Sequence, residues 1–381
     1  NKYPMQFLTL TLIKLFVLLN IVTNAEWANW RGPNMDGSSS AKNVPTKFSQ
    51  TENIRWSIDM TGKAASTPII SGGKVFITTT DKAKKELLAV AYDLKSGKEQ
   101  WSEVVGKGLN QDNRSNYAGA SPVSDGKHVV FFYGTGDMAV FSHDGKLRWK
   151  KNIQEEYGKF YFLWTFSSSP IIHDGKIILQ VLQRDTPVHP AQQGGGKQSS
   201  YILALSLDEG KEIYKTPRPD EAKSESKEAF STPIIHELNG ESQLLITGGD
   251  CITGHDPSTG KEIWRWGTWN PTKIGHWRLV PSPVAGNGVA LACAPKGDPV
   301  YAVKLGKSGT LPDSSVSWKG KNEAIASDVP TPLFYEGYFY VAHNGKKRSH
   351  MLSCVEPSTG KVIWSEAVSY THLTLPTRYR V

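Results

Sequence analysis

Apolar residues in this chain fall into short runs of strand length, separated by polar turns rich in glycine, asparagine and aspartate. Residues 120–153 show the plan. Pro122-Val-Ser is followed by Asp125-Gly126 and then by Lys127-His-Val-Val-Phe131. After Tyr133-Gly-Thr-Gly comes Met138-Ala-Val-Phe-Ser142, and Asp144-Gly145-Lys146 leads into a last run that ends at Trp149. Proline donates no N–H, so Pro122 suits the first residue of a strand. Glycine after aspartate accepts the positive φ of a tight hairpin. The pattern predicts four antiparallel strands joined by short hairpins.

The plan recurs. A Ser/Thr-Pro pair stands at Thr67-Pro68, Ser121-Pro122, Ser169-Pro170, Thr232-Pro233, Ser282-Pro283 and Thr331-Pro332, so the prolines step by 54, 48, 63, 50 and 49 residues. First turns are expected at Gly72-Gly73, Asp174-Gly175, Asn239-Gly240, Asn287-Gly288 and Glu336-Gly337. Second turns are expected at Ser96-Gly97, Glu209-Gly210, Thr259-Gly260, Ser308-Gly309 and Thr359-Gly360. Each unit closes on an aromatic: Trp101, Trp149, Tyr214, Trp264, Trp318 or Trp364. One such sheet cannot cover both its faces, so neighbours must bury them. A period near 50 residues with four strands per unit predicts an all-β β-propeller. Six blades are complete here, and seven or eight are expected in the intact protein. Residues 54–58, around Trp56, read as an outermost strand that arrives before the first full blade.

Composition adds boundaries. Residues 1–25 carry lysines ahead of the apolar run LFVLLNIV and end on small residues, which reads as a signal peptide and places the protein in the periplasm or outside the cell. The apolar run is short for a stable membrane span. Residues 26–53 form an N-terminal segment, 54–368 the repeat array, and 369–381 a non-native or disordered tail without a turn glycine. The formal net charge is +8, but many lysines follow turn glycines instead of forming a stripe, which argues against nucleic acid. The three cysteines, Cys251, Cys293 and Cys354, lie in apolar strand-like contexts, and their odd number forbids full pairing.

The closing motif Asp256-Pro-Ser-Thr-Gly-Lys-Glu-Ile-Trp264, echoed at Glu356–Trp364 and Asp93–Trp101, resembles the PQQ (pyrroloquinoline quinone) repeat. Trp27-Ala-Asn-Trp30-Arg-Gly-Pro-Asn resembles the opening of secreted bacterial PQQ-like propeller proteins. The resemblance covers about residues 27–368. It implies the fold and leaves activity open, because the repeat serves quinoprotein dehydrogenases, a quinone-free outer-membrane assembly lipoprotein and other secreted proteins. The dehydrogenase branch implies adjacent cysteines over the quinone and a calcium site. The chain has no Cys-Cys pair and no dense run of oxygen ligands.

Long irregular connections are expected to converge on one mouth of the central channel, where binding residues usually lie. They are 106–120, 154–168, 215–231, 265–280 and 319–329 between blades, and 182–201, 247–250, 294–299 and 342–350 within them. Their candidate ligand-binding residues are Asn113, Arg114, Asn116, Trp164, Arg184, Asp185, Asp250, Trp269, His276, Trp277, Arg278, Lys296 and Arg348. Indoles beside forked donors suit a planar, sugar-like or peptide ligand. His276 has the chemistry of an acid or base, yet nucleophile and phosphate-loop motifs are absent, and His189, His255, His343 and His350 lack metal-ligand spacing. The first reading is a non-catalytic binding or scaffold protein with no cofactor, engaging a small-molecule, glycan or protein ligand. The alternatives are a quinoprotein oxidoreductase using PQQ with calcium, and a carbohydrate-binding or carbohydrate-active module.

Overall fold

The computed structural model describes residues 26–367 apart from 43, 50, 112–114, 298, 321–324 and 344–350. The signal-peptide and tail readings lie outside the described residues. Six four-stranded antiparallel sheets follow one another along the chain. Blade 1 holds β1 (Ile69–Ser71), β2 (Lys74–Asp81), β3 (Glu86–Asp93) and β4 (Glu99–Lys107). Blade 2 holds β5 (Val123–Ser124), β6 (His128–Phe132), β7 (Asp137–Ser142) and β8 (Leu147–Asn152), and the short helix α1 (Ile153–Tyr157) follows it. Blade 3 holds β9 (Ile171–His173), β10 (Lys176–Val181), β11 (Tyr201–Ser206) and β12 (Glu212–Pro217). Blade 4 holds β13 (Ile234–Leu238), β14 (Glu241–Gly248), β15 (Cys251–His255) and β16 (Glu262–Gly267). Blade 5 holds β17 (Val284–Gly286), β18 (Val289–Cys293), β19 (Val300–Lys304) and, after the two-residue β20 (Gly309–Thr310), β21 (Val316–Lys319). Blade 6 holds β22 (Leu333–Tyr335), β23 (Tyr338–His343), β24 (Met351–Val355) and β25 (Val362–Ala367).

Turn chemistry sets the hairpins. Asp174, Asn239, Asn287 and Glu336 all have positive φ and each precedes a positive-φ glycine, as a type I′ turn requires. At the second turns, Asp93 and Glu356 accept the backbone N–H groups two and three positions on, and Asp256 accepts that of Ser258. The hydroxyls of Ser96, Ser258 and Thr359 donate to the same carboxyls and, with these N–H groups, hold all three below their ordinary range.

Two contacts repeat between blades. The backbone N–H of each Ser/Thr before proline donates to the hydroxyl of the equivalent residue in the next blade. The ladder runs Thr67 to Ser121 (2.9 Å), Ser121 to Ser169 (2.9 Å), Ser169 to Thr232 (3.0 Å), Thr232 to Ser282 (2.8 Å) and Ser282 to Thr331 (3.1 Å). The repeated hydroxyl is therefore an inter-blade stitch, a role the proline alone does not reveal. The second contact is the closing aromatic. Trp56, Trp101, Trp149, Tyr214 and Trp318 each donate to a backbone carbonyl in the second turn of the following blade: Leu94, His143, Leu207, Pro257 and Pro357. The same rings lie against the glycines of those turns. A Cβ on Gly210 would come within 2.8 Å of the Trp149 ring.

Trp264 departs from this rule. It is fully buried and donates to Gln243 Oε1 of its own blade (2.9 Å). The expected turn at Ser308-Gly309 is replaced, because residues 310–315 lengthen the connection and β20 pairs in parallel with β16 on the outer edge of blade 4. Trp364, on blade 6, remains 40% exposed. Residues 54–60 form no strand; instead Ile58 and Met60 cover Leu88, Val90 and Tyr92 on the face of blade 1.

The N-terminal segment crosses the inner strands. Trp27 bridges to Ile70, Ala28 O accepts from Ser124 N (2.8 Å), Met35 meets Ile235 and the Arg31 guanidinium donates to Pro332 O. Burial lowers the Arg31 pKa to about 10.

Candidate functional site

The first strands of blades 1, 2 and 5 are mostly buried and the fourth strands of blades 1 to 3 are largely exposed, so the loops entering strand 1 stand nearest the ring axis. The loops before blades 4 and 5 are zipped together on this side. Ala229 pairs in parallel with Leu279, Glu225 N donates to Gly275 O (2.9 Å) and Trp277 N donates to Ser226 Oγ (2.8 Å). This zipper positions Glu225 under two candidate residues. The Trp164 indole donates to Glu225 Oε1 (3.4 Å), and Arg278 Nη1 lies 3.4 Å from the same oxygen.

One turn further on, Glu228 is completely buried. Arg184 donates to its Oε1 and the Leu163 N–H to its Oε2 (3.1 Å). Burial outweighs these partners and pushes the Glu228 carboxyl up to about 7. Trp164, Arg184 and Arg278 thus converge from three connections onto two glutamates from a fourth. His189 closes one side, with Nε2 2.8 Å from Leu163 O.

The other candidates scatter. Asp185 lines a separate cleft of about 210 Å³ beside Lys227, which pairs with Asp220 at 3.2 Å. Asn116 is buried, accepts from Ala118 N (2.9 Å) and borders a cleft of about 390 Å³ with Met60 and Leu109. Trp269 is buried in the core beside Trp266, and Trp277 packs half-buried against the same cluster. His276 is exposed. Lys296 N is held by Asp328 Oδ1 (2.7 Å). Asp250 lies at the tip between β14 and β15, in a cleft of its own. Asn113, Arg114 and Arg348 lie outside the described residues. Glu225 and Glu228 escape sequence reasoning because a lone glutamate in a polar loop looks solvated. The one signal available was their three-residue spacing in a connection flanked by loops that carry arginine.

Residues 42–195 match the family described as outer membrane protein assembly factor BamB. The match spans less than half of the chain, whose fold is that of a β-propeller. BamB from Moraxella catarrhalis superposes with a TM-score of 0.50 at 12% identity, covering 79% of this chain and 72% of that one. A europium-containing methanol dehydrogenase superposes with a TM-score of 0.61 at 12% identity, covering 90% and 78%. The quinohemoprotein alcohol dehydrogenase of Comamonas testosteroni gives 0.52 at 13% identity, covering 90% and 67%. At these identities the likeness is one of fold. No curated protein matches the sequence.

The donor set can be tested against quinone and calcium. Cys251, Cys293 and Cys354 sit singly on blades 4, 5 and 6, all buried. Burial raises each thiol above its ordinary pKa. Among the described residues no group of three or more His, Cys, Asp or Glu side chains is placed to hold a metal ion. These residues do not fit the set that the dehydrogenase resemblance implies.

Proposed function

We propose that this PQQ-like propeller is a non-catalytic binding or scaffold protein of the periplasm or cell exterior, which engages its ligand through the mouth loops of blades 3 to 5. The observation that carries this reading is the convergence of Trp164, Arg184 and Arg278 on Glu225 and Glu228. Guanidinium and indole groups held in place by the buried Glu228 and the half-buried Glu225 form a rigid, amphipathic recognition surface, of the kind enriched at protein interfaces. The family match over residues 42–195, to a protein described as an assembly factor, supports a binding role over turnover. Among the described residues no helix is long and apolar enough to cross a membrane.

The test compares the parent with the double variant Trp164→Ala/Arg278→Ala. Both proteins are incubated with a periplasmic extract, and co-purifying proteins and small molecules are quantified. A species retained by the parent and lost by the variant supports the reading. Turnover of alcohols or sugars in a dye-linked assay with added PQQ and calcium overturns it in favour of the oxidoreductase. Saturable binding on a glycan array, abolished by Trp277→Ala, moves it to the carbohydrate module.

A further inference from the structure

The tip between β14 and β15 carries a carboxylate in an unusual position. Asp250 is 5% exposed, sits in the left-handed region at φ 62° and lines a cleft of about 260 Å³. This cleft lies at the outer part of blade 4, because its walls come from the tip between β14 and β15, from the third and fourth strands, from the connections on either side of the blade and from Thr310 of β20. It is therefore distinct from the cluster around Glu225 and Glu228, and the inference below does not depend on how that cluster is read.

The charges around the cleft are unevenly matched. Arg265 is committed to Glu262, with Nε to Oε1 at 2.7 Å and Nη2 to Oε2 at 2.6 Å. Lys273 is committed to Glu221 at 2.9 Å. Asp250 takes the Asn270 amide on Oδ2 (2.8 Å) and a looser contact from the Trp269 indole N–H, and no cation pairs with it among the described residues. Its Oδ1 makes no well-formed hydrogen bond, and neither does the neighbouring Trp269 indole N–H, although both are buried. The groups facing Asp250 are Asp220, which repels its charge, and Lys273 and Trp269, which favour it; burial dominates and holds the carboxyl up at about 6. A buried carboxylate without an ion pair is costly and persists where something else uses it.

We propose that the blade 4 cleft is a binding site for a small organic ammonium compound, whose cationic nitrogen supplies the missing partner of Asp250. The volume suits a molecule of metabolite size, below the range of larger ligands.

The experiment titrates the full chain at pH 7.5 with ethanolamine and with glycine, and with acetate and glycerol as nitrogen-free counterparts, followed by calorimetry. Saturable binding of at least one amine and of neither counterpart is expected. Because protonation of Asp250 competes with the ammonium, affinity in the parent should fall about tenfold between pH 7.5 and pH 5. Asp250→Asn should weaken binding at least tenfold while melting no lower than the parent at pH 7.5, since asparagine tolerates the left-handed backbone and removes a buried charge. Absence of saturable amine binding, equal binding of acetate or glycerol, or pH-independent binding overturns the proposal. So does a lower melting temperature of Asp250→Asn at pH 7.5, which would make Asp250 a structural residue.

Discussion

The junction between blades 2 and 3 and the junction between blades 4 and 5 occupy equivalent places in the ring and are built differently. At the first, Trp149 reaches across, donates to Leu207 O (2.8 Å) and covers Gly210. At the second, Trp264 stays within its own blade, Gly309 has open space where the indole should be, and Trp266 reaches Asp313 instead (3.3 Å). The cause is local: the lengthened connection through residues 310–315 moves the turn off the indole and lays β20 along β16. A repeated contact survives only where the repeat keeps its length. Where length changes, the chain fills the space with contacts used once, and its least conventional charged groups gather on the same side. Asp250 lines the cleft that β20 helps to wall, and Glu225 and Glu228 lie in the connection that zips onto the next one. Local conflict with the repeat is where function is expected.

Several substitutions would break or sharpen this contrast. Trp264→Ala, at a fully buried indole, should cost about 3–5 kcal/mol in denaturant unfolding, and Trp149→Ala, at a half-buried indole, about 3 kcal/mol. Trp364→Ala, at an indole 40% exposed, should cost below about 1 kcal/mol. Equal losses at Trp149 and Trp364 would end the account of the closing aromatics.

Glu228 gives the next largest effect. Its folded pKa of about 7 lies above the ordinary carboxylate value, so its protonated form favours the fold. That contribution is complete below about pH 4.5 and is lost as pH rises through 7. Relative to the parent, Glu228→Gln should therefore gain about 3 kcal/mol in stability between pH 4.5 and pH 8. A constant difference across that range would show that the carboxyl is not held up by burial.

Gly210→Ala, with φ at 66° and Trp149 in the way, should cost about 2 kcal/mol or more, while Gly309→Ala, with φ at 75° and nothing within 4 Å, should cost about 1 kcal/mol. Thermal melts that rank the two in the opposite order would remove the steric distinction between the junctions. Smallest, Ser169→Ala strands the Ser121 N–H and should cost about 1–2 kcal/mol, whereas Ser169→Thr should be near neutral, as threonine already fills this place at Thr232 and Thr331.

The sequence by itself determined the blades. Strand and turn are short-range matters, so the Gly-rich hairpins, the Ser/Thr-Pro openings and the closing aromatics are readable from spacing, and six sheets stand where the repeat placed them. It also marked Trp164, Arg184 and Arg278 as loop residues with binding chemistry. What only the tertiary structure decided is which of these meet. Glu225 and Glu228 acquire their meaning from residues tens of positions away, Trp269 turns into the core, and Asp250 becomes a buried charge because loops fold over it. Desolvation and convergence depend on the packing of distant segments, and no local pattern of residues encodes them.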